Sequence, residues 1–359
     1  AVAPDDTNGN GTPDYIEKIA EAFDHVKKVT CSERGFRTPI LDKGKNTLEI
    51  NVYDLDGVYG ITFPVNYYYS KITGIKTASS KISIDNNYSP SKGFTLPRDK
   101  CMMVTAAHEF FHSVQYAYNV DADKWWKEAS ATWNEDEIYD DVNDYFHYLD
   151  KLFKNPEKPL QSTDYGGVVF AKYLSENYGG YDIIRRIWEV QGKITDSSVD
   201  AIDIAIRERY ENKSIGKLFD EYTAFNYNPA QYYSEGALWK VSVNKANTFT
   251  SFPVSEQSGK LKNLAAEYQL FKFDGKQKGK TLKIVVDGSD NTKWSFKLQR
   301  RKISDGLCST TYFTMDGKEN RAEIVTAGIG DVYSEVCLIP ANLEKDSGER
   351  TYKYSAVLE

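Results

Sequence analysis

VTAAHEFFHSVQYAY, Val104 to Tyr118, decides how this chain is read. The sequence has four histidines, and two of them fall four residues apart inside this one apolar stretch. Met102–Tyr118 contains no Pro or Gly and is rich in Ala, Phe, Val and Met, with Asp99 and Lys100 ahead of it and Asn119 behind. That pattern predicts a mostly buried helix. Residues at i and i+4 share a helix face, so His108 and His112 project together, with Glu109 beside them. Written as H-E-x-x-H, the pattern offers two imidazoles to a zinc ion and a carboxylate placed to work on water. A pair of core histidines is the plainer explanation. The apolar helical setting and the scarcity of histidine favour the metal.

A catalytic zinc takes three protein ligands and keeps one position open. The next stretch, DADKWWKEASATWNEDEIYDD, carries Glu128, separated from His112 by fifteen residues. A second helix starting near Asp123 or Lys124 would present Glu128 to the metal, and small Ala129, Ser130 and Ala131 would let the two helices approach closely. Glu135 lies seven residues on, on the same face, where it could hold a ligand histidine from behind. Glu135, His147 and Asp123 remain alternatives for the third ligand, and the local crowd of acids could also be plain surface. With zinc held by His108, His112 and Glu128, the chemistry would be water activation and carbonyl polarisation. Glu109 would take a proton from water and return it to the leaving amine.

HEFFH followed by W-x-K-E-A-S-A-T-W-N-E resembles the gluzincin zinc peptidases, the broad group of thermolysin and the aminopeptidase N type. The likeness is nearest to secreted bacterial metalloproteases that carry HEFFHSVQYAY and a Trp-Lys-Glu-Ala segment, and it covers about residues 1–240. In that group a glutamate in an E-G-x-A-like segment is the third ligand. Here Ala129 stands in place of the usual Gly, and the gap is shorter than in thermolysin, so the connection must differ. The resemblance implies zinc-dependent peptide hydrolysis with Glu109 as general base and acid. It also implies an edge strand near Lys81–Asn86 that pairs with an extended substrate. Tyr165, in STDYGGVVFAKYLSENYGG, resembles the tyrosine-then-helix segment behind the zinc ligands of aminopeptidase-like members, which makes it the candidate oxyanion donor. A tyrosine packed at a loop–helix junction is the alternative.

A second metal signal stands at the start. DTNGNGTPDYIE, Asp6 to Glu17, places oxygen-bearing side chains at positions one, three, five, nine and twelve of a twelve-residue loop: Asp6, Asn8, Asn10, Asp14 and Glu17. Gly11 falls at the sixth position, and Thr12 at the seventh can offer its carbonyl. This is EF-hand spacing, so the loop is expected to bind a structural calcium ion ahead of a helix over 13–29. An Asn/Gly/Asp turn capping that helix is the alternative.

The rest of the chain has two characters. Residues 46–88 alternate like strands with Gly and Asp-Gly turns, predicting a small antiparallel sheet. Helices are expected after the zinc pair at about 141–154, 167–177, 181–191, 199–210 and 214–225. From about Lys245 short strands recur at even spacing, predicting an all-β sandwich. The expected class is α+β, with a gluzincin-like catalytic domain over 1–244 and a β-sandwich over 245–359. The second domain carries no catalytic cluster. It would serve stability, substrate attachment or contact with a cell surface or polymer.

Cys31 and Cys101 fall in the first domain, Cys308 and Cys337 in the second, so the domain division selects disulfides Cys31–Cys101 and Cys308–Cys337. Disulfides imply an oxidising compartment and a secreted protein, and the start AVAPDD reads as a trimmed terminus. Buried thiols are the alternative. The net charge is −7 with no long basic run, which gives nucleic-acid binding no support. No apolar run reaches transmembrane length. Three functions stay open at this point: a zinc endopeptidase on protein or peptide substrates, a zinc exopeptidase, and an adhesin on a protease scaffold.

Overall fold

Asp14 and Glu17 in the first turn and His25 and Lys27 in the last complement the dipole of helix α1, Asp14–Lys27, whose buried face is Tyr15, Ile19, Ala22, Phe23 and Val26. A π-helical segment, Lys28–Glu33, prolongs it. Three strands follow, β1 Glu49–Tyr53, β2 Gly60–Tyr69 and β3 Lys76–Asp85. Pro97 then precedes helix α2, Arg98–Tyr116, and Asp123 precedes α3, Lys124–Ile138. Helices α4 Phe146–Lys154, α5 Val168–Tyr178, α6 Tyr181–Gln191, α7 Ser198–Arg209 and α8 Ile215–Phe225 continue the chain. The computed structural model describes residues 5–315, 318–346 and 348–359. Ala1–Pro4, within the start read as a trimmed terminus, lie outside them.

The protein is α+β and forms two compact units. One comprises residues 1–147 and 164–209, the other 148–163 and 210–359. This division differs from a boundary at residue 244. The segment after Arg209 is tied to the strands that follow it: Gln299 Nε2 donates to the Ala224 carbonyl at 2.8 Å and the Tyr268 hydroxyl to the Thr223 carbonyl at 2.7 Å. Lys297 and Asp220, both buried, pair at 2.8 Å.

In the first unit the small sheet has the order β1–β3–β2. It is mixed rather than antiparallel: β1 runs parallel to β3, from Glu49 opposite Lys81 to Tyr53 opposite Asp85, and β2 runs antiparallel to β3. Asp56 and Gly57 both have positive φ, as an Asp-Gly hairpin turn requires, but the strands they join do not pair with each other. β3 inserts between them. The expected edge at Lys81–Asn86 is therefore the centre of the sheet, and the edge strands are β1 and β2. Helix α2 lies against this sheet, where Ser80 Oγ donates to Ser113 Oγ at 2.8 Å. It is held to α3 by Asn134 Nδ2 donating to the Ala107 carbonyl at 3.1 Å. Ala107, Ala129, Ala131 and Ser130 have no exposed surface, and these small side chains allow the close approach.

Among the described residues ten strands build the second unit: β4 Asn247–Phe249, β5 Val254–Leu261, β6 Ala265–Ala266, β7 Gln269–Lys272, β8 Lys280–Gly288, β9 Trp294–Lys302, β10 Cys308–Thr311, β11 Arg321–Ile329, β12 Tyr333–Asn342 and β13 Arg350–Leu358. One half runs β10–β9–β12–β7–β4, the other β11–β8–β13–β5. Among the described residues a single pairing, Ile329 with Tyr333, joins them. Trp294 and Phe296 of one half pack against Tyr352 of the other, tilted and edge-on, in a core shared with Ile284, Ile324 and Leu338. The arrangement is a sandwich closed at one seam.

All four cysteines are free thiols, which overturns both expected disulfides. Lys18 pairs with Asp99 at 2.6 Å, so α1 and α2 start side by side, and Cys101 sits in the first turn of α2. Cys31 lies near Arg37, whose guanidinium donates to the Ala117 carbonyl at the far end of α2. Sixteen residues of helix at ~1.5 Å each separate the two ends by ~24 Å. Cys308 pairs with Arg301 and Cys337 with Gln299, on opposite sides of β9. Two strand steps of ~4.8 Å put their Cα atoms ~10 Å apart, beyond the ~7 Å a disulfide spans. Burial pushes the Cys31 and Cys101 thiols up to about 11.

Candidate metal centre

The three expected ligands converge. Nε2 of His108 and Nε2 of His112 lie 3.4 and 3.5 Å from the same Glu128 oxygen, Oε2, and the ligand atoms are all within 4.8 Å of one another. That oxygen is buried and has no hydrogen-bond partner. The opposite ring nitrogens are occupied. His108 Nδ1 meets Glu135 Oε1 at 2.6 Å, and because a carboxylate can only accept, this nitrogen carries the proton. His112 Nδ1 meets Gln115 Oε1 at 2.8 Å. Gln115 Nε2 donates to the Lys127 carbonyl at 2.9 Å, which turns its oxygen toward the imidazole. Both rings therefore point Nε2 at the orphaned carboxylate oxygen, the tautomer that a metal ligand needs.

The electrostatics follow. Burial works to raise the Glu128 carboxyl, but the two imidazoles that face it, His108 and His112, outweigh it and hold the group well below the usual carboxylate range. Burial pushes Glu135 up to about 7 against the opposing hydrogen bond from His108. His108, which burial alone would neutralise, is driven well above its ordinary value by Glu128 and Glu135. Two carboxylates around one imidazole demand a positive charge between them. The donor set of two imidazole nitrogens and one carboxylate oxygen, with an unpartnered oxygen at its centre, fits zinc.

Glu109 is buried on the neighbouring turn of α2. Thr62 Oγ1, on edge strand β2, lies 2.6 Å from Glu109 Oε2 and 2.9 Å from its carbonyl. Gly60, two residues earlier on β2, presses against the same side chain: a Cβ there would sit 2.7 Å from Glu109 Cγ and 2.7 Å from Thr105 Cγ2. Tyr165 stacks on His108 with ring centroids 5.8 Å apart. Burial raises its hydroxyl first, and then the Glu128 carboxylate to which it is hydrogen-bonded, so the phenol keeps its proton.

The other expected positions divide. Glu135 supports His108 from behind. His147 is turned to the Asp144 carbonyl at 2.8 Å and to Thr95 at 3.2 Å, and Asp123 accepts from the Ser198 amide at 2.7 Å. Sequence reasoning missed Thr62, Gly60 and Gln115. Gln115 stands three residues after His112, a spacing that signals a helical neighbour. Nothing in the local pattern of β2 announces Thr62 or Gly60.

In the N-terminal loop, Asp6 accepts from the amides of Asn10 and Gly11 at 3.1 and 2.9 Å, and Asn10 Oδ1 accepts from the Thr12 amide at 2.8 Å. Gly11 takes φ +86°. Both Glu17 oxygens face inward, accepting from the side-chain amides of Asn8 and Asn10. Asp14 turns instead to Thr7, accepting from its amide at 2.9 Å. Asp6, Asn8, Asn10 and Glu17 are thus linked in one network, and Asp14 is held outside it.

Among the described residues no helix is long and apolar enough to cross a membrane. A family of unknown function, DUF6055, matches residues 97–203, the span that holds α2, α3 and Tyr165. No curated protein matches the chain. Solved structures are similar only distantly. The Yersinia pseudotuberculosis-derived mitogen shares 14% identity over 30% of this chain and 88% of its own, with a TM-score of 0.25. Aeromonas hydrophila PliG, a periplasmic inhibitor of g-type lysozyme, shares 11% over 32% of this chain and 100% of its own, with a TM-score of 0.23. Likeness this slight carries no functional argument.

Proposed function

We propose that the chain is a zinc-dependent peptidase, an endopeptidase of gluzincin type. The observation that carries the reading is the buried, partnerless Glu128 oxygen, faced by two imidazole nitrogens whose far sides are already committed. His108, His112 and Glu128 would hold the ion. Bound there, zinc would supply Lewis acidity toward a scissile carbonyl and toward water.

The protein's own groups would do the rest. Glu109 takes the proton of the attacking water and passes it to the departing amine nitrogen, its carboxylate aimed by Thr62. Tyr165, with its phenol protonated, donates to the carbonyl oxygen as negative charge develops there. Edge strand β2 passes beside Glu109 with one side unpaired, and Phe63, Tyr67 and Tyr69 on it are 49%, 53% and 69% exposed. An extended peptide would add to that edge, in place of the Lys81–Asn86 segment first expected.

Calcium in the Asp6–Glu17 loop completes the reading, as a structural ion. With the disulfides gone, secretion rests on the resemblance and on this loop, since single extracellular calcium modules work at ~10⁻⁴–10⁻³ M calcium. The deciding experiment is metal analysis with peptide-library cleavage for wild type and Glu109→Gln. The expected result is about one zinc in both proteins, with cleavage in wild type only. A Glu109→Gln protein cutting at the wild-type rate, or a zinc-loaded wild type that cuts nothing, overturns the reading.

A further inference from the structure

Pairing parity on β2 fixes which main-chain groups face its open edge. The Asp85 amide donates to the Tyr59 carbonyl at 3.1 Å, one step beyond the Gly60–Ile84 pair, so Tyr59 and Asp85 are a hydrogen-bonded pair. Antiparallel ladders alternate from one pair to the next. Gly60, Thr62 and Pro64, opposite Ile84, Ile82 and Ser80, therefore point their main-chain groups away from β3. Gly60 and Thr62 each offer an N–H and a carbonyl there. The Tyr116 hydroxyl at the end of α2 donates to the Thr62 carbonyl at 3.3 Å, and that oxygen can accept a second donor. Pro64 has no N–H to give, and the register slips between Pro64 and Tyr67. A peptide laid on this edge loses its ladder at Pro64.

Beyond Pro64 the strand offers side chains instead. Tyr67 lies opposite Ala78 and Tyr69 opposite Lys76, on the same parity of β3 as Ile82 opposite Thr62. Opposed residues share a face of the sheet, and so do alternate residues along a strand. Ser80, bonded to Ser113, identifies that face as the one toward α2. Tyr67 and Tyr69 thus stand on the same face as Thr62, and both are more than half exposed. The Lys76 carbonyl accepts from the Val120 amide at 2.9 Å, which sets this end of the face level with the connection that follows α2. Lys76 Nζ lies 4.4 Å from the centre of the Tyr67 ring, and its charge is already met by Asp121 at 3.4 Å. From Ile82 to Ala78 and Lys76 is four and six positions along β3. At ~3.4 Å per residue the rings follow Thr62 by ~14 and ~20 Å.

We propose that Tyr67 and Tyr69 form a distal specificity subsite, which takes an aromatic side chain of the peptide four to six residues along from the one opposite Thr62. The inference rests on the peptidase reading above. Thr62 is hydrogen-bonded to Glu109, so the residue opposite it lies beside the bond to be cut. A chain held there by Gly60 and Thr62 continues along β2 past Pro64, where ring contacts take over from main-chain bonds. A ladder accepts any sequence, whereas two phenol rings on one face select for a flat apolar partner. The preferred substrate is then a long extended segment with an aromatic residue well to one side of the cleaved bond.

The test compares wild type with Tyr67→Ser/Tyr69→Ser on fluorogenic peptides that share one cleaved sequence. One is long, with tyrosine at the distal positions on both sides of the bond. Two others carry serine or glutamate at those positions, and a fourth is truncated short of them. For the tyrosine peptide the double variant should raise KM ~3- to 10-fold with kcat unchanged, because the contact is remote from the reacting atoms. Zinc content and kinetics on the truncated peptide should match wild type, which also shows that the variant folds. An unchanged KM for the tyrosine peptide, or an equal loss on the truncated one, overturns the subsite and leaves the peptidase reading standing. A wild-type preference for the glutamate peptide overturns it too, by placing recognition on Lys76. A wild type that cuts none of the peptides overturns both.

Discussion

Thr62→Val isolates how Glu109 is held. Thr62 and Glu109 are 9% and 5% exposed, and the hydroxyl lies 2.6 Å from Oε2. Valine keeps the shape and removes the only proton the hydroxyl has to give. Hydrogen bonds to charged groups contribute ~1.5–3 kcal/mol, and each 1.4 kcal/mol is tenfold, so the expected loss is ~10- to 150-fold. It should fall on kcat, because the carboxylate is displaced from the proton it must take while the exposed edge of β2 still binds peptide. Zinc content should be unchanged, since the Thr62 hydroxyl is hydrogen-bonded to Glu109 and not to the proposed ligands. The assay is kcat and KM on a fluorogenic peptide taken from the library, with Thr62→Ser as the rescue. A Thr62→Val enzyme with kcat within about twofold of wild type would refute the positioning argument.

Gly60→Ala should lower kcat by ~10-fold or more with zinc retained, because overpacking of 1–3 kcal/mol falls directly on Glu109; wild-type kinetics would mean that β2 yields freely. Glu135→Gln should weaken zinc binding ~10- to 100-fold by chelator competition, the usual cost of losing a supporting carboxylate. Unchanged affinity would reduce Glu135 to a packing role. Asp6→Ala should abolish the calcium-dependent rise in melting temperature. That rise corresponds to ~2.7 kcal/mol at a hundredfold excess over Kd, and a surviving shift would place the ion elsewhere.

The helices were legible because their signals are local. Asp123 marks the start of α3, α2 begins at Arg98, four residues before the expected Met102, and apolar residues at helical spacing place the later helices to within a few residues, apart from the start of α4. His108, His112 and Glu128 were legible for the same reason: the i, i+4 spacing sets the two histidines on one face, and the small residues beside Glu128 favour close approach there, with Glu135, His147 and Asp123 left as alternatives. What failed was long-range. Asp56-Gly57 has the conformation of a hairpin turn, yet β3 slides between the strands it joins, and no local pattern encodes that choice. The cysteines failed likewise: their pairing depended on which ends of α1 and α2 lie together and on β9 standing between β10 and β12. Thr62 and Gly60 reach Glu109 only through that same sheet order.

The sheet order therefore joins the fold to the chemistry. With β3 in the centre, β2 becomes an edge whose inner residues, Gly60 and Thr62, press on Glu109 and whose other side stays unpaired. Had β2 been central, a neighbouring strand would occupy the edge proposed to take the peptide. Had β1 taken its place beside α2, Glu109 would face a different strand. The helices alone can gather the two imidazoles and Glu128. Only the inserted β3 puts a strand edge, a hydroxyl donor and a residue without a side chain beside Glu109, the carboxylate proposed to move the proton.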